Sequence, residues 1–113
     1  MIKIYHNNRC SKSREALQLL EASGKPFEVI KYLEDVPTKE ELEQIVDLLD
    51  IRPIDLVRKN ESVWKENFKQ ENLSDEALID VMVKYPKLIE RPIVVNGEKA
   101  VIGRPPQQVL DII

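Results

Sequence analysis

The chain has one cysteine, one histidine and three glycines in 113 residues, and it has no long apolar run. A single cysteine cannot close an internal disulfide, so there is no disulfide framework, which suits a reducing compartment. One histidine and one cysteine do not make a metal set, and no glycine-rich phosphate loop is present; neither a metal nor a nucleotide is expected. The longest apolar clusters, such as Ile93-Val94-Val95, are strand-sized and far short of a bilayer span. No apolar h-region follows the opening residues, so no secretory signal is visible and a cytoplasmic location without membrane contact is expected. Positive charge is not in excess either. The 17 basic and 20 acidic residues leave a formal net charge of −3, which argues against general nucleic-acid affinity.

What is present is a concentration of chemistry around Cys10, in Tyr5-His6-Asn7-Asn8-Arg9-Cys10-Ser11-Lys12-Ser13-Arg14. Cys10 falls between a stretch that reads as a strand and one that reads as a helix. A thiol at a helix N-terminus meets the positive end of the helix dipole and unpaired N–H groups, and both favour the nucleophilic thiolate. Arg9, Lys12 and Arg14 add positive charge within four residues, and His6 is placed to add more. The alternative is a buried, inert cysteine. A local cluster of cations in a mildly acidic chain suits a small anion better than a polyanion.

The pattern along the chain predicts one domain, large enough for a modest core. Alternation at 2–5 predicts a strand, and Ala16, Leu17 and Leu20 give a helix over 11–23 with Gly24 as its stop. A second strand follows over 27–32, so the unit is βαβ, which favours parallel pairing. Thr38 with Glu41 forms a capping box for a helix whose face is Leu42, Ile45, Val46 and Leu49. Short helices are expected at 53–57 and 64–68. Another, N-capped by Ser74, carries Leu78, Ile79 and Met82 and is ended by Pro86. Residues 92–102 read as a hairpin turning at Asn96-Gly97. Pro105 and Pro106 open a final helix with Val109, Leu110 and Ile113 on its apolar side. The order β-α-β, helical insertion at about 38–85, then β-β-α matches an α/β, thioredoxin-like fold with a mixed four-stranded sheet.

Four separated blocks occur in this order: Tyr5-His6-Asn7 with Cys10 and Ser13-Arg14, then Leu56-Val57-Arg58-Lys59-Asn60-Glu61, then Arg91-Pro92-Ile93-Val94-Val95, then Gly103-Arg104-Pro105. On these blocks the chain resembles the ArsC-type arsenate reductases, a glutaredoxin-linked branch of the thioredoxin superfamily. The resemblance implies that Cys10 is the nucleophile and that Arg58, Arg91 and Arg104 bind and activate an oxyanion. Guanidinium groups stay charged and offer planar donor forks that suit such anions. For each arginine the alternative is a surface salt bridge. Pro92 corresponds by resemblance to the cis-proline facing the active cysteine, and His6 to a histidine that favours the thiolate. Asn7, Ser13 and Arg14 are implied as supporting residues. The loop departs from the family pattern in Asn8, where proline is usual, and in Ser11-Lys12, where Gly-Thr is common.

The resemblance implies reduction of arsenate or a similar oxyanion by a monomer that binds no cofactor. With Cys10 alone, the second sulfur must come from outside, and the family implies glutathione and glutaredoxin as external reductants. Two other readings use the same residues. Cys10-Ser11-Lys12-Ser13 has the C-x-x-S form of a monothiol glutaredoxin-like reductase. The Spx-type regulators, which bind RNA polymerase, share the fold and the Arg91-Pro92-Ile93 block, but Ser13 stands where their C-x-x-C switch needs a second cysteine.

Overall fold

Alternating side chains make β1, Ile2–Tyr5, which sends Ile2 and Ile4 into the core while Lys3 faces out. The structure, a computed structural model, describes residues 1–113. It divides into two compact units, one formed by Met1–Asp35 with Arg91–Ile113 and the other by Val36–Glu90.

In the first unit, α1 spans Ser11–Ser23 and ends at Gly24, whose φ of 73° is the left-handed conformation that a side chain would penalise. β2, Phe27–Ile30, pairs in parallel with β1, Ile2 opposite Phe27 and Tyr5 opposite Ile30. β2 stops two residues short of the expected strand because the Lys31 carbonyl accepts the N–H groups of Glu34 and Asp35, which turns the chain. β3, Ile93–Asn96, runs antiparallel to β1, and β4, Lys99–Ile102, antiparallel to β3. The sheet is therefore mixed, in the order β2-β1-β3-β4. The hairpin turns through Gly97-Glu98, with Gly97 at φ 63°, so the glycine supplies the positive φ that this two-residue loop requires.

One face of the sheet is covered by α1 and by the C-terminal helix, where Ile2, Ile4, Ala16, Leu20, Val94 and Val109 form the core. That last helix, Pro106–Asp111, is a 3-10 helix. With three residues per turn, Pro106 and Val109 share the buried face, and Leu110 turns outward at 49% exposure. Leu110 thus lies off the apolar side expected for it. The chain end is held by Asn96 Nδ2 donating to the Ile112 carbonyl at 2.7 Å and by Lys25 Nζ donating to Ile113.

The second unit is helical. The Thr38 hydroxyl accepts from the Glu41 N–H and the Glu41 carboxylate accepts from the Thr38 N–H, both at 3.2 Å, opening α2, Lys39–Leu49. A 3-10 helix follows at Pro53–Leu56, then α3 at Ser62–Asn67 and α4 at Asp75–Lys84, the last capped by Ser74. Pro86 opens a further 3-10 helix, Pro86–Leu88. Trp64 is buried, with Phe68 5.9 Å away between ring centroids, as a packing anchor. No helix is long and apolar enough to cross a membrane.

Replacing Thr38 by alanine removes one half of the capping box. Denaturant unfolding of T38A is expected to show a loss of about 1 kcal/mol relative to the parent protein.

Candidate active site

The sheet register gathers the functional segments at one end of the first unit. Tyr5 ends β1 opposite Ile30, the last residue of β2, and opposite Ile93, the first of β3; Ile93 in turn faces Ile102, the last of β4. The loop from His6 to Cys10, the Arg91-Pro92 pair and Gly103-Arg104 therefore all leave the sheet at the same edge.

Cys10 is the N-cap residue of α1, in extended conformation at φ −96° and ψ 121°. Its N–H donates to the Asn7 carbonyl and its carbonyl accepts the Arg14 N–H, both at 3.0 Å. Burial pushes the thiol up, but the Ser13 N–H, the hydrogen bond and charge of the Arg91 guanidinium, and the Lys12 N–H outweigh it. The net effect holds the thiol below the ordinary cysteine range. The side-chain charge that reaches the sulfur is thus that of Arg91. The neighbours in sequence act differently from expectation. Arg14 donates from Nη1 to the Asn8 carbonyl at 2.9 Å and ties down the loop, and Lys12 acts through its backbone. The Arg9 N–H donates to Asn7 Oδ1 at 3.0 Å.

Ser13 is fully buried, and its hydroxyl organises the loop. Oγ accepts the Asn7 N–H at 3.0 Å and lies 2.6 Å from His6 Nδ1. The simplest assignment has the Ser13 proton donated to Nδ1, which leaves the His6 proton on Nε2. Burial, then the charges of Lys31 and Arg14, hold His6 below its ordinary pKa, against a smaller raising effect from Ser13. His6 is therefore neutral at pH 7 and does not add the positive charge expected of it. Its ring pairs with Ser13, and its backbone N–H donates to the Ile30 carbonyl at 2.9 Å.

The Arg91-Pro92 peptide is cis, and so is Arg104-Pro105. Arg104 Nη1 donates to the Arg91 carbonyl at 3.1 Å, and the Gly103 N–H donates to the Pro92 carbonyl at 2.8 Å. A Cβ on Gly103 would lie 2.8 Å from Pro92 Cγ and 3.3 Å from Val109 Cγ1, so only glycine fits there. Gly103 is part of a motif that stands out in the sequence, yet only its contact with a distant proline explains it.

Arg58 belongs to the helical unit. There the bridge between Val57 and Ile89 brings the Leu56 carbonyl to the Glu90 N–H at 2.8 Å. Arg58 Nη1 meets Glu90 Oε1 at 2.6 Å, and Nε lies 3.5 Å from Glu61 Oε1. Burial acts to lower its pKa, while Glu90 and Glu61 raise it to a net upward shift. Glu61 is within helical reach in sequence, but nothing in the sequence marks Glu90 as the stronger partner. No group of three or more His, Cys, Asp or Glu side chains is placed to hold a metal.

The model of the ArsC family matches residues 5–112. The chain is 52% identical to the "Uncharacterized protein YfgD" of Escherichia coli, over 99% of this chain and 96% of that one. It is 43% identical to a Neisseria meningitidis protein named arsenate reductase, covering 92% of this chain and 91% of the other. Among solved structures, the arsenate reductase from Vibrio cholerae superposes with a TM-score of 0.93 at 49% identity, covering 99% of this chain and 97% of that one.

Two measurements probe the site. The alkylation rate of Cys10 against pH is expected to show a midpoint below the free value of about 8.5, and R91A should move it upward. For His6, a folded-state pKa below the unfolded value of about 6.5 means that its stabilising contribution is complete above that pH. It is lost as pH falls through the folded value. Unfolding free energy should therefore decline on acidification in the parent protein and decline less in H6N.

Proposed function

This chain belongs to the ArsC family, and on that footing we propose that it reduces arsenate or a related oxyanion through Cys10. The observation that carries the reading is the Cys10 sulfur at the start of α1, met by the Ser13 and Lys12 N–H groups and the Arg91 guanidinium. The same donors suit a tetrahedral oxyanion, because oriented N–H groups at a helix start and a planar guanidinium fork both stabilise negative oxygens.

In this reading the Cys10 thiolate attacks pentavalent arsenic. A sulfur–arsenic bond forms, an arsenic–oxygen bond breaks, and that oxygen takes up a proton and leaves as water. Glutathione thiolate then attacks the Cys10 sulfur. The sulfur–arsenic bond breaks with its electron pair passing to arsenic, which falls from the pentavalent to the trivalent state and departs as arsenite. Cys10 and glutathione remain as a mixed disulfide. A glutaredoxin thiolate takes the glutathionyl group by exchange and frees Cys10, and further glutathione regenerates the glutaredoxin. The outside thiol is required because Cys10 is the only cysteine. The reaction suits a monomer in the reducing cytoplasm. Arg91 and Arg104 act on the oxyanion, Arg104 also bracing Arg91 through its carbonyl. Arg58 is assigned to the oxyanion by resemblance, and it also neutralises Glu90 and Glu61 within the helical unit.

The test is arsenate-dependent oxidation of NADPH with glutathione, glutaredoxin and glutathione reductase supplied. Turnover is expected in the parent protein and none in C10S. Loss of a charged hydrogen bond worth roughly 1.5–3 kcal/mol at the transition state should lower kcat/KM in R91A and R104A by about ten- to a hundred-and-fifty-fold. Lysine should restore either only in part, since it keeps the charge and loses the fork. R58A should lose stability as well as turnover, because two carboxylates are left without their cation. Unchanged turnover in all three alanine variants would exclude oxyanion chemistry at this site.

A further inference from the structure

A cavity of about 300 Å³ opens in the first unit beside the loop that carries Cys10. One wall is residues 6–9, and the other is Lys31, Leu33 and Glu34, from the turn that follows β2. The walls are tied together by the His6 N–H on the Ile30 carbonyl at 2.9 Å, and the turn is closed by the Glu34 N–H on the Lys31 carbonyl at 2.9 Å. The nearer wall is continuous with the nucleophile, since the Cys10 N–H is held by the Asn7 carbonyl. The cavity is thus a preformed pocket of the size that takes small ligands.

The charged side chains of this pocket, Arg9, Lys31 and Glu34, are exposed to solvent. Ion pairs of the fold include Lys39 with Glu76 and Asp80, Arg52 with Asp75, and Arg58 with Glu61 and Glu90. Arg9, Lys31 and Glu34 take part in none of them, although all three line the same cavity. Leu33 adds an apolar wall and stands 39% exposed. Two cations and one carboxylate around a small cavity complement a ligand with two carboxylates and one ammonium. Glutathione has that charge set at neutral pH, with a thiol between its charged ends.

We infer that this pocket docks the thiol co-substrate, a tripeptide thiol of the glutathione type, with Arg9 and Lys31 taking its carboxylates and Glu34 its ammonium. The inference rests on the reading of Cys10 as a thiol-dependent reductase, and it adds where the second sulfur is held before it attacks Cys10. It also gives a role to Arg9, whose charge is not among those acting on the thiol.

Two arms test it separately from the arsenate reading. In the first, backbone amide shifts of the C10S protein are followed during titration with reduced glutathione, in the absence of arsenate. Shifts confined to residues 6–9 and 31–34 are expected, weaker with the glutathione diethyl ester and lost in K31E. In the second, the glutathione KM of the arsenate assay is expected to rise about tenfold in K31E, with the arsenate KM and the alkylation rate of Cys10 unchanged. Shifts absent from this pocket, or a glutathione KM that K31E leaves unaltered in an active enzyme, would overturn the inference. Localised binding without arsenate turnover in the parent protein would uphold the thiol pocket and remove arsenate as the substrate.

Discussion

The contact between the Cys10 sulfur and the Arg91 guanidinium is the interaction on which the rest of the site depends. A thiol at a helix N-terminus gains from the N–H groups of the first turn, but partial burial works against its ionisation. The Ser13 N–H and then the arginine outweigh that burial, and the arginine comes from a segment more than eighty residues away in the chain, at the start of the neighbouring strand. It can do so because β1 and β3 are antiparallel neighbours with Tyr5 opposite Ile93, so the residue two positions before Ile93 lies beside the loop that follows Tyr5. A shift of this register by one residue would turn every core side chain of β3 outward. The burial of Val94 against Ile2, Ile4 and Leu20 therefore also holds Arg91 in place.

Around this contact the molecule spends its few unusual residues on backbone geometry. Gly103 is bare because Pro92 and Val109 occupy the space that a methyl group would fill. Ser13 is a buried polar side chain in an otherwise apolar helix face, and both of its partners belong to the Cys10 loop. Buried polar groups are tolerated when satisfied, and here the satisfaction fixes the path of the loop. The loop that differs from the family pattern at Asn8 is held by a different device, the Arg14 side chain on the Asn8 carbonyl. Of the sequence-adjacent cations, Arg14 thus shapes the loop through its side chain, and the charge on sulfur is supplied by Arg91.

Much of the thioredoxin-like fold was legible in the chain. Period-two and helical apolar patterns, the Thr38-Glu41 box, the Ser74 cap and the glycine stop at Gly24 are local signals, and each acts through neighbours a few residues away. Two misplacements were also local in origin. Lys31 and Tyr32 continue a strand-like pattern, but the turn at the Lys31 carbonyl removes them from β2. Leu110 fits an α-helical face, yet the segment winds at three residues per turn and exposes it. Of the site, Cys10 and its position at a helix start were readable, because strand, loop and helix are consecutive in the chain.

By itself the sequence determined the lone cysteine at a helix start and the order of elements, since single residues and short-range periodicity carry both. Tertiary structure alone decided which charges act on which groups. Arg91 reaches Cys10, Arg58 is taken up by Glu90 and Glu61, His6 is neutral against Ser13, and Arg9 and Lys31 face one cavity. The physical reason is that electrostatic and hydrogen-bond energies depend on distance in space and on burial. Both are set by strand register and loop path, which no window of neighbouring residues contains.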